Sequence, residues 1–150
     1  MTEVIRITFK QAFDDPDFTT LFDEYCEESA MNGMPQPVCQ PAIYQQIEDA
    51  GIMHVLGAYD DDRMVGFLNL LVNTLPHYGK LVATTESYFV GFKHRKGGAG
   101  LMLLREAERL ATTLGAVGIL VSSPNGSKLA EVMPKVGYTA ANQVFFRSLQ

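Results

Sequence analysis

The residues Val90-Gly-Phe-Lys-His-Arg95-Lys-Gly97-Gly98-Ala99-Gly100-Leu101 bring together the types that hold a phosphate. They stand where a strand rich in Thr, Val, Tyr and Phe hands over to a Leu-rich helix. Glycines at such a junction leave backbone N–H groups exposed, and the helix start adds partial positive charge. Arg95 and Lys96 add full charges. A P-loop needs GxxxxGK[ST], which is absent, and a dinucleotide fingerprint needs GxGxxG, whereas Gly98-x-Gly100 runs on to Leu103. A plain tight connection would require neither four small residues nor two cations. Four positions before Val90 stands Glu86, in Thr84-Thr85-Glu86-Ser87-Tyr88-Phe89. An acidic residue is unfavourable inside a sheet unless it faces a cleft. Alternation puts Glu86, Tyr88 and Val90 on one face; a solvated outward Glu is the plainer alternative. His54, His77 and His94 share no metal-ligand spacing, and Cys26 and Cys39 lack a CxxC partner or a nearby His, so no metal is expected and both thiols are expected free.

The elements that must position these residues follow from periodicity. Glu3–Phe9 alternates like a strand. Asp15-Pro16-Asp17 reads as a helix start, with Phe18, Leu21, Phe22 and Tyr25 at helical spacing to about Ala30. A loop broken by three prolines and a glycine, 32–41, precedes a shorter helix over roughly 41–50. Met53–Tyr59 and Met64–Leu75 form a hairpin through Asp60-Asp61-Asp62, and Leu81–Phe92 is a third strand after the Pro76–Gly79 turn. A helix over Gly98–Leu114 ends at Gly115. Gly118–Ser122 is a short strand, a two-turn helix reaches Lys135, and Tyr138–Leu149 reads as one kinked strand or two short ones. The order β-α-α-β-β-β-α-β-α-β implies an α+β fold with a mixed, mostly antiparallel sheet flanked by helices.

Composition bounds the rest. The chain has 150 residues, 47% of them hydrophobic, with formal net charge −5. One domain over residues 1–150 is expected, able to bury about 68–70% of its unfolded surface. No apolar run approaches the roughly 18 residues of a membrane span, and the start lacks the layout of a signal peptide, so a cytoplasmic location is expected. Residues 1–62 carry 13 acidic and 2 basic side chains (net −11), and residues 63–150 carry 4 and 10 (net +6). That split suits a polyanion on the second half and a cation on the first. Overall acidity and dispersed basic residues argue against nonspecific DNA binding.

Arg95-x-x-Gly98-x-Gly100, between a strand ending at Val90 and a Leu-rich helix, resembles motif A of the GNAT superfamily of acyl-CoA-dependent N-acetyltransferases. The element order is similar over nearly all 150 residues, and Gly137-Tyr138 resembles the Gly-Phe that closes a later helix in the family. The resemblance implies acetyl-CoA as acyl donor and a small-molecule or peptide amine as acceptor. The amides of Arg95, Lys96, Gly97, Gly98, Ala99, Gly100 and Leu101 would hold the pyrophosphate. Backbone groups of Phe89 and Val90 would pair with the pantetheine arm, one N–H also polarising the thioester carbonyl, with Asn125 nearby. Glu86 would be the general base. Many members carry a Tyr acid five residues before the Phe of Gly-Phe; here that position is Met133, so either another group such as Tyr138 or Ser123 serves, or the thiolate leaves with only solvent assistance. Tyr25, Met31, His77 and Tyr78 are the acceptor-side candidates. A homodimer is one arrangement the resemblance allows. The alternative function is a non-catalytic acyl-CoA-binding or regulatory module on the same fold.

Overall fold

Alternation from Thr2 produces β1 (Thr2–Ile7). Thr8 ends it and starts a helix: its hydroxyl accepts from the Gln11 N–H, while its own N–H donates to the Gln11 side chain. This reciprocal cap sustains α1 (Phe9–Phe13), an element absent from the sequence reading because its single apolar turn is too short for helical periodicity to show. The next helix, α2 (Phe18–Ser29), starts later than Pro16. Asp17 occupies its N-cap position, but the carboxylate goes to Arg63 instead of the helix amides. Pro41 opens α3 (Pro41–Asp49), where its missing N–H costs nothing.

β2 (Met53–Asp60) and β3 (Arg63–Leu75) are joined by Asp61 and Asp62, both at positive φ, a conformation Asp tolerates. β4 (Lys80–Val90) follows, then a 3-10 turn (Phe92–His94), α4 (Ala99–Thr113), β5 (Ile119–Leu120), α5 (Lys128–Val132) and a second 3-10 turn (Met133–Val136). The computed structural model describes all 150 residues. Its sheet runs in the order β1-β2-β3-β4-β5, antiparallel except for the parallel β4–β5 pair. This is the expected mixed sheet with helices on both faces.

Two apolar layers clamp the sheet. Leu56, Leu68 and Leu70 meet Leu103 and Ala107 of α4 on one face. Met53, Phe67 and Phe89 meet Phe9, Phe18 and Phe22 of α1 and α2 on the other. Burying each large side chain contributes about 1.5–3 kcal/mol before entropy.

One expectation fails. Tyr138–Leu149 forms no strand, although its residues suit one. A strand needs a ladder partner, and β5 pairs over only two residues. The tail instead runs past the α2–α3 loop, where Phe146 and Ser148 lie against Gly33. Phe145 (87% exposed) and Leu149 (94%) are left in solvent.

Candidate active site

β5 follows β4 only at Ala83 and Thr84. Beyond Thr85, whose hydroxyl accepts from the Ser122 N–H (3.3 Å), the outer edge of β4 has no strand beside it. On the inner side Gly91 N–H donates to the Val65 carbonyl (2.9 Å). Antiparallel ladders alternate from such a bond, so the Phe89 N–H and C=O point to Phe67 of β3 while those of Tyr88 and Val90 point to the open edge. The Phe89 backbone groups, expected at the free edge, are thus turned to β3, and the outward ones are those of Tyr88 and Val90. In this structure the Val90 carbonyl accepts from Arg95 Nε (2.9 Å).

The glycine loop lies at the end of that edge. Gly98, at φ +81°, is the N-cap of α4, and a side chain there would meet no atom within 4 Å. The first helical bond is Met102 N–H to Gly98 C=O, so the N–H groups of Ala99, Gly100 and Leu101 precede the ladder and point out of the helix start. The Tyr88 hydroxyl donates to the Gly100 carbonyl and ties the helix start to β4. Lys96 and Gly97, with Lys93 and His94, line a shallow hollow beside the loop. Arg95 is not aimed outward as its charge suggested. Its guanidinium lies over the Phe89 and Phe92 rings (5.1 and 4.9 Å) and makes a two-pronged pair with Glu28 of α2 (2.9 and 3.0 Å). Glu24, one turn earlier, accepts from the Phe92 N–H (3.1 Å). Two carboxylates of α2, Glu24 and Glu28, thus brace the loop.

Glu86 has no register partner on β3: Ser87 faces Asn69 and Thr85 faces Leu70. It is the extra residue of a β-bulge, and the bulge breaks the alternation that grouped it with Tyr88 and Val90. Those two pack toward α4. Glu86 turns to the opposite face, where Oε1 accepts from the Tyr44 hydroxyl (2.8 Å) and Oε2 from Asn69 Nδ2 (3.3 Å), while its carbonyl accepts from the Tyr25 hydroxyl (3.5 Å). Burial, reinforced by the Glu86 charge, pushes the Tyr25 hydroxyl up to about 12 and the Tyr44 hydroxyl higher still. Burial also raises the Cys39 thiol, to which Glu86 adds. Every group facing the carboxylate is thus neutral at physiological pH. Ser87 beside it, 3% exposed, has a hydroxyl with no partner.

Of the remaining candidates, Tyr25 joins this cluster. Tyr138 does not: its hydroxyl donates to Glu108 of α4 (2.8 Å), and burial followed by that bond raises it. Met133 is buried. Asn125 is exposed in the turn before α5, and Met31 in the α2–α3 loop. His77 and Tyr78 lie against each other, tilted, with ring centroids 4.2 Å apart, in the β3–β4 turn, and the start of β4 next to that turn is six residues, roughly 20 Å, from Glu86. Sequence reasoning missed Tyr44 and Asn69 as site residues, and it gave Glu24 and Glu28 no part in holding the loop. Only Asn69, polar within the apolar run Met64–Val72, carried a readable signal.

The model of the Acetyltransferase (GNAT) family matches residues 13–138. No relative is found among curated proteins. Among solved structures, an aminoglycoside acetyltransferase from an uncultured soil metagenomic sample, in complex with sisomicin, is similar with TM-score 0.77 at 18% identity, over 99% of this chain and 97% of that one. A ribosomal-protein-alanine N-acetyltransferase from Brucella melitensis biovar Abortus 2308 has TM-score 0.74 at 15% identity, over 97% and 96%. Glucosamine-6-phosphate N-acetyltransferase from Arabidopsis thaliana has TM-score 0.74 at 8% identity, over 100% and 99%. These likenesses share the fold, and the family match spans both the glycine loop and Glu86: the chain belongs to the GNAT acetyltransferase family.

Proposed function

We propose that the protein, as a single cytoplasmic domain over residues 1–150, moves an acetyl group from acetyl-CoA to a primary amine by direct attack within a ternary complex. The observation that carries this reading is the Glu86 carboxylate, raised by a bulge beside the open edge of β4 and surrounded only by neutral groups. Acetyl-CoA fits the residues present. The outward amides of Ala99, Gly100 and Leu101 and the left-handed Gly98 make a cradle for a diphosphate. The Tyr88 and Val90 backbone groups offer an extended arm one more ladder. When bound, the donor supplies an activated acyl group.

The chain's own part is then positioning, proton transfer and charge stabilisation. Glu86 takes a proton from the acceptor ammonium, directly or through one water, leaving a neutral amine to attack. The outward Val90 N–H is the donor for the developing oxyanion. As the C–N bond forms and the C–S bond breaks, the thiolate of an alkyl thiol (pKa about 8.5) leaves without an acid from the chain and takes up through solvent the second proton that the nitrogen sheds, which accommodates Met133 in place of a tyrosine. The acceptor is a small-molecule or peptide amine. No helix of the protein is long and apolar enough to cross a membrane.

Glu86→Gln tests the reading. It should lower kcat by roughly 10²–10⁴-fold at neutral pH while acetyl-CoA binds as before. Wild-type turnover in this variant would remove Glu86 as base. Binding of acetyl-CoA without transfer to any amine would favour the second reading, a non-catalytic acyl-CoA-binding module, which the buried Met133 and the engaged Tyr138 hydroxyl support.

A further inference from the structure

We propose that Tyr44 is a positioning residue that fixes the Glu86 carboxylate in the orientation from which it takes the acceptor's proton. The inference rests on Glu86 being the base. Being the bulged residue, Glu86 has no register partner on β3. Its carbonyl accepts the long bond from Tyr25. Side chains hold the carboxylate itself, and the shorter of its two bonds is the one from Tyr44, 2.8 Å against 3.3 Å from Asn69.

Tyr44 is itself rigidly mounted. Its ring stacks on Phe9 with centroids 5.1 Å apart and planes 10° from parallel, and Phe22 meets it edge-on at 6.2 Å. Phe9 is buried, and its N–H donates to Glu48 of α3 (2.7 Å), locking α1 to the helix that carries Tyr44. Core packing is thereby transmitted through one aromatic ring to one carboxylate oxygen. Burial keeps the Tyr44 hydroxyl protonated, so it donates throughout the working pH range. Each carboxylate oxygen retains a free lone pair, so the bond orients the base without consuming it. The remaining groups facing Glu86 are Tyr25 from α2, Cys39 from the α2–α3 loop and Asn69 from β3, all uncharged. None of them offers a charge to do this work.

The test is a double-mutant cycle with Tyr44→Phe, which keeps the ring and removes only the hydroxyl. Rates are measured with acetyl-CoA and a panel of spermidine, a lysine peptide and sisomicin, with acetyl-CoA hydrolysis as the reporter if none is used. Tyr44→Phe should lower kcat about tenfold, as expected for losing a hydrogen bond to a charged group, leave KM for acetyl-CoA unchanged and lower the melting temperature by a few degrees at most. Added to Glu86→Gln, it should cause no further loss, because its whole effect runs through the base. A wild-type rate in Tyr44→Phe, or a loss that multiplies with that of Glu86→Gln, overturns the positioning role while the base assignment stands. A wild-type rate in Glu86→Gln overturns the base itself, and the inference with it. No turnover by any route removes the enzyme and the inference together.

Discussion

Gly98 can be tested on two axes at once. Its φ of +81° is a conformation that costs an L-residue about 1–2 kcal/mol. Since no atom lies within 4 Å of a Cβ built there, Gly98→Ala adds this backbone cost and no clash. The cost must surface somewhere. If the loop keeps its shape without ligand, stability falls by that amount, and melting drops about 2–4 °C per kcal/mol for a chain of this size. If the loop relaxes, stability holds, and the cost is met when acetyl-CoA forces the amides back, a loss of roughly 5–30-fold in affinity. The two losses should together come to about 1–2 kcal/mol. Asn tolerates left-handed backbone, so Gly98→Asn should recover much of the stability. Gly98→Val places branched bulk in the open space of the cradle, and should cost more than tenfold in affinity, about 1.4 kcal/mol. Gly115→Ala is the control: φ there is +90° and the nearest side-chain atom is 3.8 Å away, but it lies at the far end of α4. It should destabilise comparably and leave affinity alone. Thermal unfolding with and without acetyl-CoA, paired with calorimetric titration, measures both axes. Folded Gly98→Val that binds acetyl-CoA like the wild type would refute the cradle.

Two further outcomes are expected. Tyr138→Phe breaks the bond to Glu108 and should cost about 0.5–1.5 kcal/mol of stability with kcat unchanged; a large drop in kcat with intact stability would restore Tyr138 as the acid. His54 is held below its ordinary pKa by burial and then by Arg6, whose guanidinium meets its Nδ1 at 2.6 Å. Its contribution is therefore fully present above the unfolded value of about 6.5 and declines as pH falls below it, because the unfolded chain then binds the proton more readily. Melting temperatures from pH 8 to 5 should fall more steeply for the wild type than for His54→Gln, and parallel slopes would contradict this.

The glycine loop was legible because its requirement is local: backbone freedom, small volume and charge within a dozen consecutive residues. The order of helices and strands was legible for the same reason, through period and punctuation. What could not be read was the phase of β4. Alternation assumes an unbroken ladder, and nothing in Thr84–Tyr88 announces that one residue is extra. The bulge sends Glu86 to the face of α2 and α3, so Tyr44 and Asn69, distant in sequence, become its partners. Arg95 misled differently. Its charge was read as free, but pairing depends on what a neighbouring helix presents, and α2 presents Glu28. The tail misled because strand propensity cannot say whether an edge waits to receive it.

The bulge at Glu86 sets the interests of folding against those of chemistry. Thr85 and Ser87 already stand opposite consecutive residues of β3, Leu70 and Asn69. Removing Glu86 would bring those two together and leave a regular ladder on either side of the excision, with one half-buried charge fewer to desolvate. A shorter chain would thus be easier to fold and, with Glu86 as the proposed base, unable to take the proton. A search for hardier versions of this protein that scores stability alone favours that deletion, and the proposed base goes with it.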